Sequence, residues 1–485
     1  MGPRTSALSS SITTCTRPHA DLTAATDDLR HRLTAVVGLT EPDAATVAAP
    51  LVRLAVIFGN RPFTLLEQAR DELRVDRPAF RRLLDIFSQV PELRTAVESG
   101  PAGKYWRNTV LPLERRCAVE AALRHEPVFP RIVGLYPGLT CMFRCHFCVR
   151  VTGARYEASL LDSGTALLAS VIDELPRDNP DATYLSGGLE PLTNPKVGTL
   201  ASRAAARGQR VTIYTNAFAL TDQTLRHQPG LWDLHAVRVS LYGLDDEEYE
   251  ATTGKRKAFE RVRANLRHFQ KLRAERGSPV RLGMTYLVLP GRAARLLDLV
   301  DFIADLNEAA PDRPIDFLNV REDYSSRPDG ALSPDERAEL RDSLGRFEAR
   351  ALDRAPTLSI DFGYALESMR MGMDAEMIRI RPETMRPSAH PQIAVQVDLR
   401  GDVYLYREAG FPDLAGADRY IAGRIGPDTS LAEVVRNFVA SGRRIAAQPG
   451  DEYFMDGFDQ AVTARLNQLT TDRADGWGDA RGFLR

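Results

Sequence analysis

Apolar positions change their period near residue 130, and that change divides the chain. Before it they recur every three or four residues, the spacing of one helical face. Val47, Leu51, Leu54, Ala55 and Phe58 form one stripe, with Thr40 as a cap before it and Gly59 as a stop after it. Phe80, Leu83, Leu84, Phe87 and Val90 form another, so residues 21–128 read as an all-helical N-terminal domain. The first 20 residues are Ser/Thr-rich without apolar periodicity and are expected to be disordered. From residue 129 short β-branched runs alternate with helical segments, the signature of parallel βα units. Predicted strands span 131–136, 182–187, 210–215, 236–242, 281–288 and 315–321, inside an α/β core over 129–385. Six such units suit a partial or full βα barrel or a doubly wound sheet, and in each the ligand lies at the carboxyl ends of the strands. Residues 386–485 read as a small α+β module, with a hairpin around Arg400-Gly401-Asp402 and a closing helix near 458–469.

Composition narrows the function classes. A net charge of −2 argues against a nucleic-acid binder held by phosphates. No run approaches eighteen apolar residues and the N-terminus lacks a basic-then-apolar signal pattern, so neither a membrane span nor secretion is expected. Five cysteines in 485 residues, three of them clustered, suit a reducing cytoplasm.

Those three carry the chemistry. Cys141, Cys145 and Cys148 stand in Cys-Met-Phe-Arg-Cys-His-Phe-Cys, directly after the first predicted strand. Three thiolates on one loop can hold three irons of a four-iron, four-sulfur cluster and leave the fourth open to an outside molecule. A zinc site completed by His146 is the alternative. Cys15 and Cys117 stand alone and read as ordinary small residues. The second strand runs into Ser186-Gly187-Gly188-Leu189-Glu190, where two glycines allow close backbone approach and a carboxylate can hold an ammonium group. The third ends in Tyr214-Thr215-Asn216, and the fourth offers Arg238, Ser240 and Tyr242 on one face.

Together these motifs resemble those of the radical S-adenosylmethionine (SAM) enzymes: the cysteine spacing, Phe147 before the last cysteine, and a Gly-Gly-Glu element on the second strand, here interrupted by Leu189. The resemblance implies a partial (β/α)6 barrel and one [4Fe-4S] cluster on Cys141, Cys145 and Cys148, with SAM chelating the open iron as co-substrate. Gly187, Gly188 and Glu190 match the element that contacts the SAM amino group, and Asn216 and Ser240 match the strand ends that meet ribose or carboxylate. Reductive cleavage of the sulfonium then yields a 5′-deoxyadenosyl radical, with a flavodoxin- or ferredoxin-type protein as reductant.

A narrower resemblance lies in Gly134-Leu135-Tyr136-Pro137-Gly138, residues 149–156, 186–195 and 214–218, and Arg407-Glu408-Ala409-Gly410-Phe411-Pro412. These runs are similar to the nucleotide-sugar deaminases of desosamine biosynthesis. That family converts TDP-4-amino-4,6-dideoxy-D-glucose to TDP-3-keto-4,6-dideoxy-D-glucose and ammonia after hydrogen abstraction at C3. Such chemistry asks for a base and an ammonium partner, and Arg321 and Glu322 after the sixth strand are the candidates. Thr285, Tyr286, Tyr404, Tyr406 and Arg407 are candidates to line the substrate site, the last three by stacking on thymine or pairing with diphosphate. The C-terminal module resembles those that bind auxiliary clusters elsewhere in the superfamily, yet no cysteine follows Cys148. Two other classes stay open, a peptide-modifying radical enzyme and a non-enzymatic zinc or iron–sulfur binding module, and metal content separates the second from an enzyme.

Overall fold

The computed structural model describes residues 10–114, 117–149, 153–323, 332–373, 390–445 and 448–478. Instead of three consecutive domains, contacts divide the chain into two interleaved units. One comprises residues 1–123, 364–380 and 460–485, the other 124–363 and 381–459.

The first unit is helical, as its apolar stripes predict. The helix Glu41–Asn60 opens on Thr40, whose hydroxyl accepts from the Asp43 backbone N–H at 3.3 Å. Gly59 does not stop this helix. Its missing side chain makes room for Thr16, whose Cγ2 lies 2.6 Å from where a Cβ would stand. The expectation of disorder is therefore corrected from residue 10 onward: Ser10–Thr14 is a helix, and Ile12 and Cys15 are buried in the helical core. Two apolar residues in so short a run give no readable period. Burial pushes the Cys15 thiol up to about 12, which leaves it a packing residue. Among the described helices Glu41–Asn60 is long and apolar enough, by length and composition, to cross a membrane, although it holds no run of eighteen apolar residues. Its Leu51, Leu54 and Phe58 are fully buried inside the unit, so core packing accounts for that character.

The second unit is built on one ten-stranded sheet: β1 (Ile132–Tyr136), β2 (Thr183–Leu185), β3 (Thr212–Thr215), β4 (Ala236–Leu241), β5 (Arg281–Val288), β6 (Phe317–Glu322), β7 (Ser359–Phe362), β8 (Ala394–Asp398), β9 (Asp402–Tyr404) and β10 (Ile421–Arg424). Its order is β10-β9-β8-β1-β2-β3-β4-β5-β6-β7. The six predicted strands are β1 to β6. The hairpin forms as expected, with Gln396 opposite Tyr404 and Gly401 at φ +80 in the turn. It is not a separate module, because β8 also pairs in parallel with β1 from Ile132↔Ala394 to Tyr136↔Asp398.

Register sorts the side chains into two faces. Val237, Leu282 and the row Val239, Met284, Leu318 are buried apolar residues on one face. The other face carries Tyr214↔Arg238, then Ser240↔Thr285↔Asn319↔Asp361, and Leu287↔Arg321. This polar face leads to the carboxyl ends of the strands.

Candidate active site

A cavity of about 280 Å³ opens at those carboxyl ends. Cys141, Cys145 and Cys148, all half-buried, line it together with Ser186, Gly187, Gly188, Asn216 and Ser240. The cysteine loop is held by what lies under it. Phe143 is buried among Phe218, Tyr242 and Tyr249, with ring centroids 5.6, 5.8 and 6.2 Å away. The Arg144 and His146 backbone N–H groups donate to the Thr253 and Thr252 carbonyls at 2.7 and 3.2 Å. Burial holds the Tyr242 hydroxyl well above its usual range, with the nearby Cys145 and Cys141 adding to the effect, and Tyr242 lines the same cavity as the three thiols. His146 is exposed and does not line the cavity.

The glycine turn is stitched to this loop. The Glu190 backbone N–H donates to the Thr140 carbonyl at 2.9 Å, and the Thr193 hydroxyl accepts from Leu139 N–H at 3.0 Å. Gly187 sits at φ +132, with the Tyr136 side chain where a Cβ would be. Glu190 also lines the cavity, yet most of its acceptor capacity is used inside the protein. Its carboxylate is buried and accepts from the Thr215 hydroxyl, the Asn216 backbone N–H at 2.8 Å and the Leu192 backbone N–H at 3.2 Å. Three of about four acceptor positions are thereby used inside the protein. Glu190 joins the turn after β2 to the end of β3, and burial pushes its pKa up against the pull of those donors.

The other candidates separate. Asn216 and Ser240 line the cavity; the Asn216 amide donates toward Met142 Sδ at 3.2 Å and so also steadies the cysteine loop. Thr285 lies on the polar face and accepts from Arg238 Nε at 2.7 Å. Arg321 shares that face and pairs with Asp361. Tyr286 is corrected: alternation turns it to the apolar face beside Val320, where it is fully buried. Glu322 is corrected for the same reason, since its side chain packs where a Gly363 Cβ would stand while Asp323, the next residue, lines the cavity. Tyr404 and Tyr406 pack in an apolar cluster with Tyr420 and Phe454, and the Tyr404 hydroxyl donates to Asp398 at 3.3 Å, so both are packing residues. Arg407 lines a neighbouring cavity and pairs with Asp456 at 2.8 Å. Sequence reasoning missed Glu408, Phe411, Asp456 and Asp323 on the cavity wall. Glu408 stood beside the chosen Arg407, whereas Asp456 carried no local signal.

The radical SAM superfamily model matches residues 135–303, the span holding the cysteine loop and the glycine turn. The chain is thus a radical SAM protein, one that uses SAM and an iron–sulfur cluster. It belongs to the family of the dTDP-4-amino-4,6-dideoxy-D-glucose ammonia-lyase of Streptomyces venezuelae, to which it is 68% identical over 472 residues, 97% of each chain. Among solved structures, Streptococcus suis SuiB bound to the precursor peptide SuiA aligns over 72% of this chain and 74% of its own, at 16% identity and a TM-score of 0.46. SuiB bound to S-adenosylmethionine aligns over 74% and 72%, at 17% identity and a TM-score of 0.41.

Gly188 gives a direct test of the turn. A Cβ there would stand 2.7 Å from Phe411 Cδ1 and 2.9 Å from the Gly410 carbonyl oxygen, so Gly188→Ala must displace the cavity wall. Overpacking of this kind costs about 1–3 kcal/mol. The expected result is roughly tenfold weaker SAM binding with iron content retained. Equilibrium binding to the reconstituted protein checks it, and unchanged affinity would remove the turn from the SAM site.

Proposed function

We propose that this chain is a radical SAM ammonia-lyase that converts TDP-4-amino-4,6-dideoxy-D-glucose to TDP-3-keto-4,6-dideoxy-D-glucose and ammonia. The observation that carries the reading is the convergence of Cys141, Cys145, Cys148 and the Gly187-Gly188 turn on one cavity, in a chain so similar to the named ammonia-lyase. The three cysteines hold a single [4Fe-4S] cluster. Among the described residues no three His, Cys, Asp or Glu side chains gather closely enough to hold one metal ion. Three thiols ringing a space suit a cluster better, because each binds a different iron. When bound, the cluster and SAM supply the radical that takes hydrogen from C3 of the sugar.

The remaining steps fall to the protein's own residues. Gly187 and Gly188 let SAM approach the backbone, and Asn216 and Ser240 offer polar contacts beside it. Arg238 lies half-buried over the Tyr214 ring at 5.0 Å, and among the described residues it meets no carboxylate. That leaves it a cation without a counter-ion on the polar face of the sheet, suited to the substrate's diphosphate. The six central strands form a partial barrel around this site. A flavodoxin- or ferredoxin-type protein serves as reductant in the cytoplasm.

Anaerobic incubation of the reconstituted protein with SAM, a reductant and the amino sugar tests the function. The expected products are 5′-deoxyadenosine, ammonia and the 3-ketosugar in matching amounts, from protein carrying about four irons per chain. Formation of 5′-deoxyadenosine without ammonia or ketosugar would sink the ammonia-lyase reading and spare the radical one.

A further inference from the structure

The cavity that holds the cysteines shares part of its wall with a second, of about 440 Å³, along the inner faces of β1, β2 and β3. Tyr136, Tyr184 and Tyr214 line this second cavity from the sheet, and Arg407, Glu408 and Asp456 line it from the chain after β9. Glu408 and Asp456 belong to both walls, so they stand where the two spaces meet.

The charged groups at that junction are unevenly paired. Arg407 pairs with Asp456 at 2.8 Å, and its backbone N–H donates to Asp459 at 2.8 Å. Its guanidinium rests on the Phe458 and Tyr184 rings at 4.2 and 5.5 Å. Glu408 is half-buried on the cavity wall and makes no hydrogen bond or ion pair among the described residues. Asp456 takes the guanidinium and burial holds Asp459 well above the usual carboxylate range, so Glu408 is left without a counter-ion. Two neutral groups nearby also lack partners among the described residues: the Tyr184 hydroxyl on the cavity wall and the amide of Gln396, which is 0% exposed with both its oxygen and nitrogen unmatched. The two flank Gly134, since a Cβ there would meet the Tyr184 hydroxyl at 2.6 Å and Gln396 Cγ at 3.1 Å. Unmatched buried polar groups are costly, and a site that keeps several is shaped for a polar ligand.

We propose that Glu408 is the seat of the sugar's C4 ammonium, holding the amino group at the junction of the two cavities with the sugar in the second. This rests on the ammonia-lyase reading. A carboxylate there gives the ammonium a charge-assisted partner, and the Tyr184 hydroxyl on the same wall suits a neighbouring sugar hydroxyl. The charged and titratable groups acting on Glu408 are Asp456 and Arg407 from its own segment and its approach, with Asp459 beyond them and the Tyr136 hydroxyl on β1. Burial first, and then Asp456, push Glu408 up to about 7, with Arg407 opposing. Below that value the group is neutral and cannot pair, so affinity for the ammonium form rises as pH rises through it.

Equilibrium binding to the reconstituted, unreduced protein with SAM present tests the proposal without turnover. The probes are TDP-4-amino-4,6-dideoxy-D-glucose and its 4-hydroxy counterpart, and iron content and SAM affinity report the state of each variant. Glu408→Gln should weaken the amino sugar by about 10- to 100-fold, as loss of a charged hydrogen bond does. It should leave the 4-hydroxy sugar nearly unaffected and flatten the rise near pH 7, while Glu408→Asp should recover part of the preference. Equal loss for both sugars, or no loss, overturns the assignment. Failure of the unaltered protein to bind either sugar overturns the ammonia-lyase reading, and the assignment with it.

Discussion

Cys145→Ala is expected to lose the cluster and, with it, turnover down to the level without enzyme. The reason lies in how little else holds the metal. In the proposed centre each cysteine would supply one thiolate to one iron, and no cysteine follows Cys148 to take over. The loop itself should survive, because Phe143 anchors it in the aromatic cluster and the Arg144 and His146 backbone groups tie it to Thr253 and Thr252. Iron and sulfide analysis after anaerobic reconstitution should therefore fall well below about four irons per chain while the unfolding transition stays in place. Cys117→Ala is the control: that residue is exposed, in a turn outside the cysteine loop, and its loss should change neither iron nor turnover. Full activity in Cys145→Ala would refute the ligand assignment.

The cysteine loop was legible because its information is local: three thiols, their spacing and the strand before them sit in one run of sequence. The strands β1 to β6 were legible for a similar reason, since β-branched runs bounded by helices mark parallel units. What sequence reasoning lacked was register and long-range pairing. On β6 the alternation Asn319, Arg321, Asp323 runs along the polar face, so Glu322 turns away from the cavity although it is one residue from a member of its wall. Thr285 and Tyr286 separate in the same manner on β5. A one-residue offset exchanges the two faces of a strand, and composition does not report it. Pairing of β8 with β1 joins residues some 260 positions apart, and nothing within Ala394–Asp398 names its second neighbour. Glu408 went unnoticed beside Arg407, because a basic side chain was the more obvious partner for a diphosphate.

Long-range wiring also governs the second large effect, at Glu190. Its Oε1 accepts from the Thr215 hydroxyl and the Leu192 N–H, and its Oε2 from the Asn216 N–H. Glu190→Gln keeps the shape but replaces one acceptor oxygen with an NH2 group. A hydroxyl can rotate to accept from that group, but a backbone N–H cannot. With the nitrogen at the first position Leu192 N–H loses its acceptor, and at the second position Asn216 N–H does. Either orientation leaves one buried donor unmatched, at about 1–3 kcal/mol, and Glu190→Ala leaves all three and a void besides. The expected result is a loss of roughly 1–3 kcal/mol for Glu190→Gln in denaturant unfolding, with a larger loss for Glu190→Ala. SAM affinity should fall in the same order, because Asn216 and the glycine turn lose their common anchor. A direct contact between Glu190 and the SAM amino group predicts the opposite split: weaker SAM binding by Glu190→Gln at unchanged stability. The two measurements on one variant therefore decide whether this carboxylate touches the cofactor or positions the residues that do.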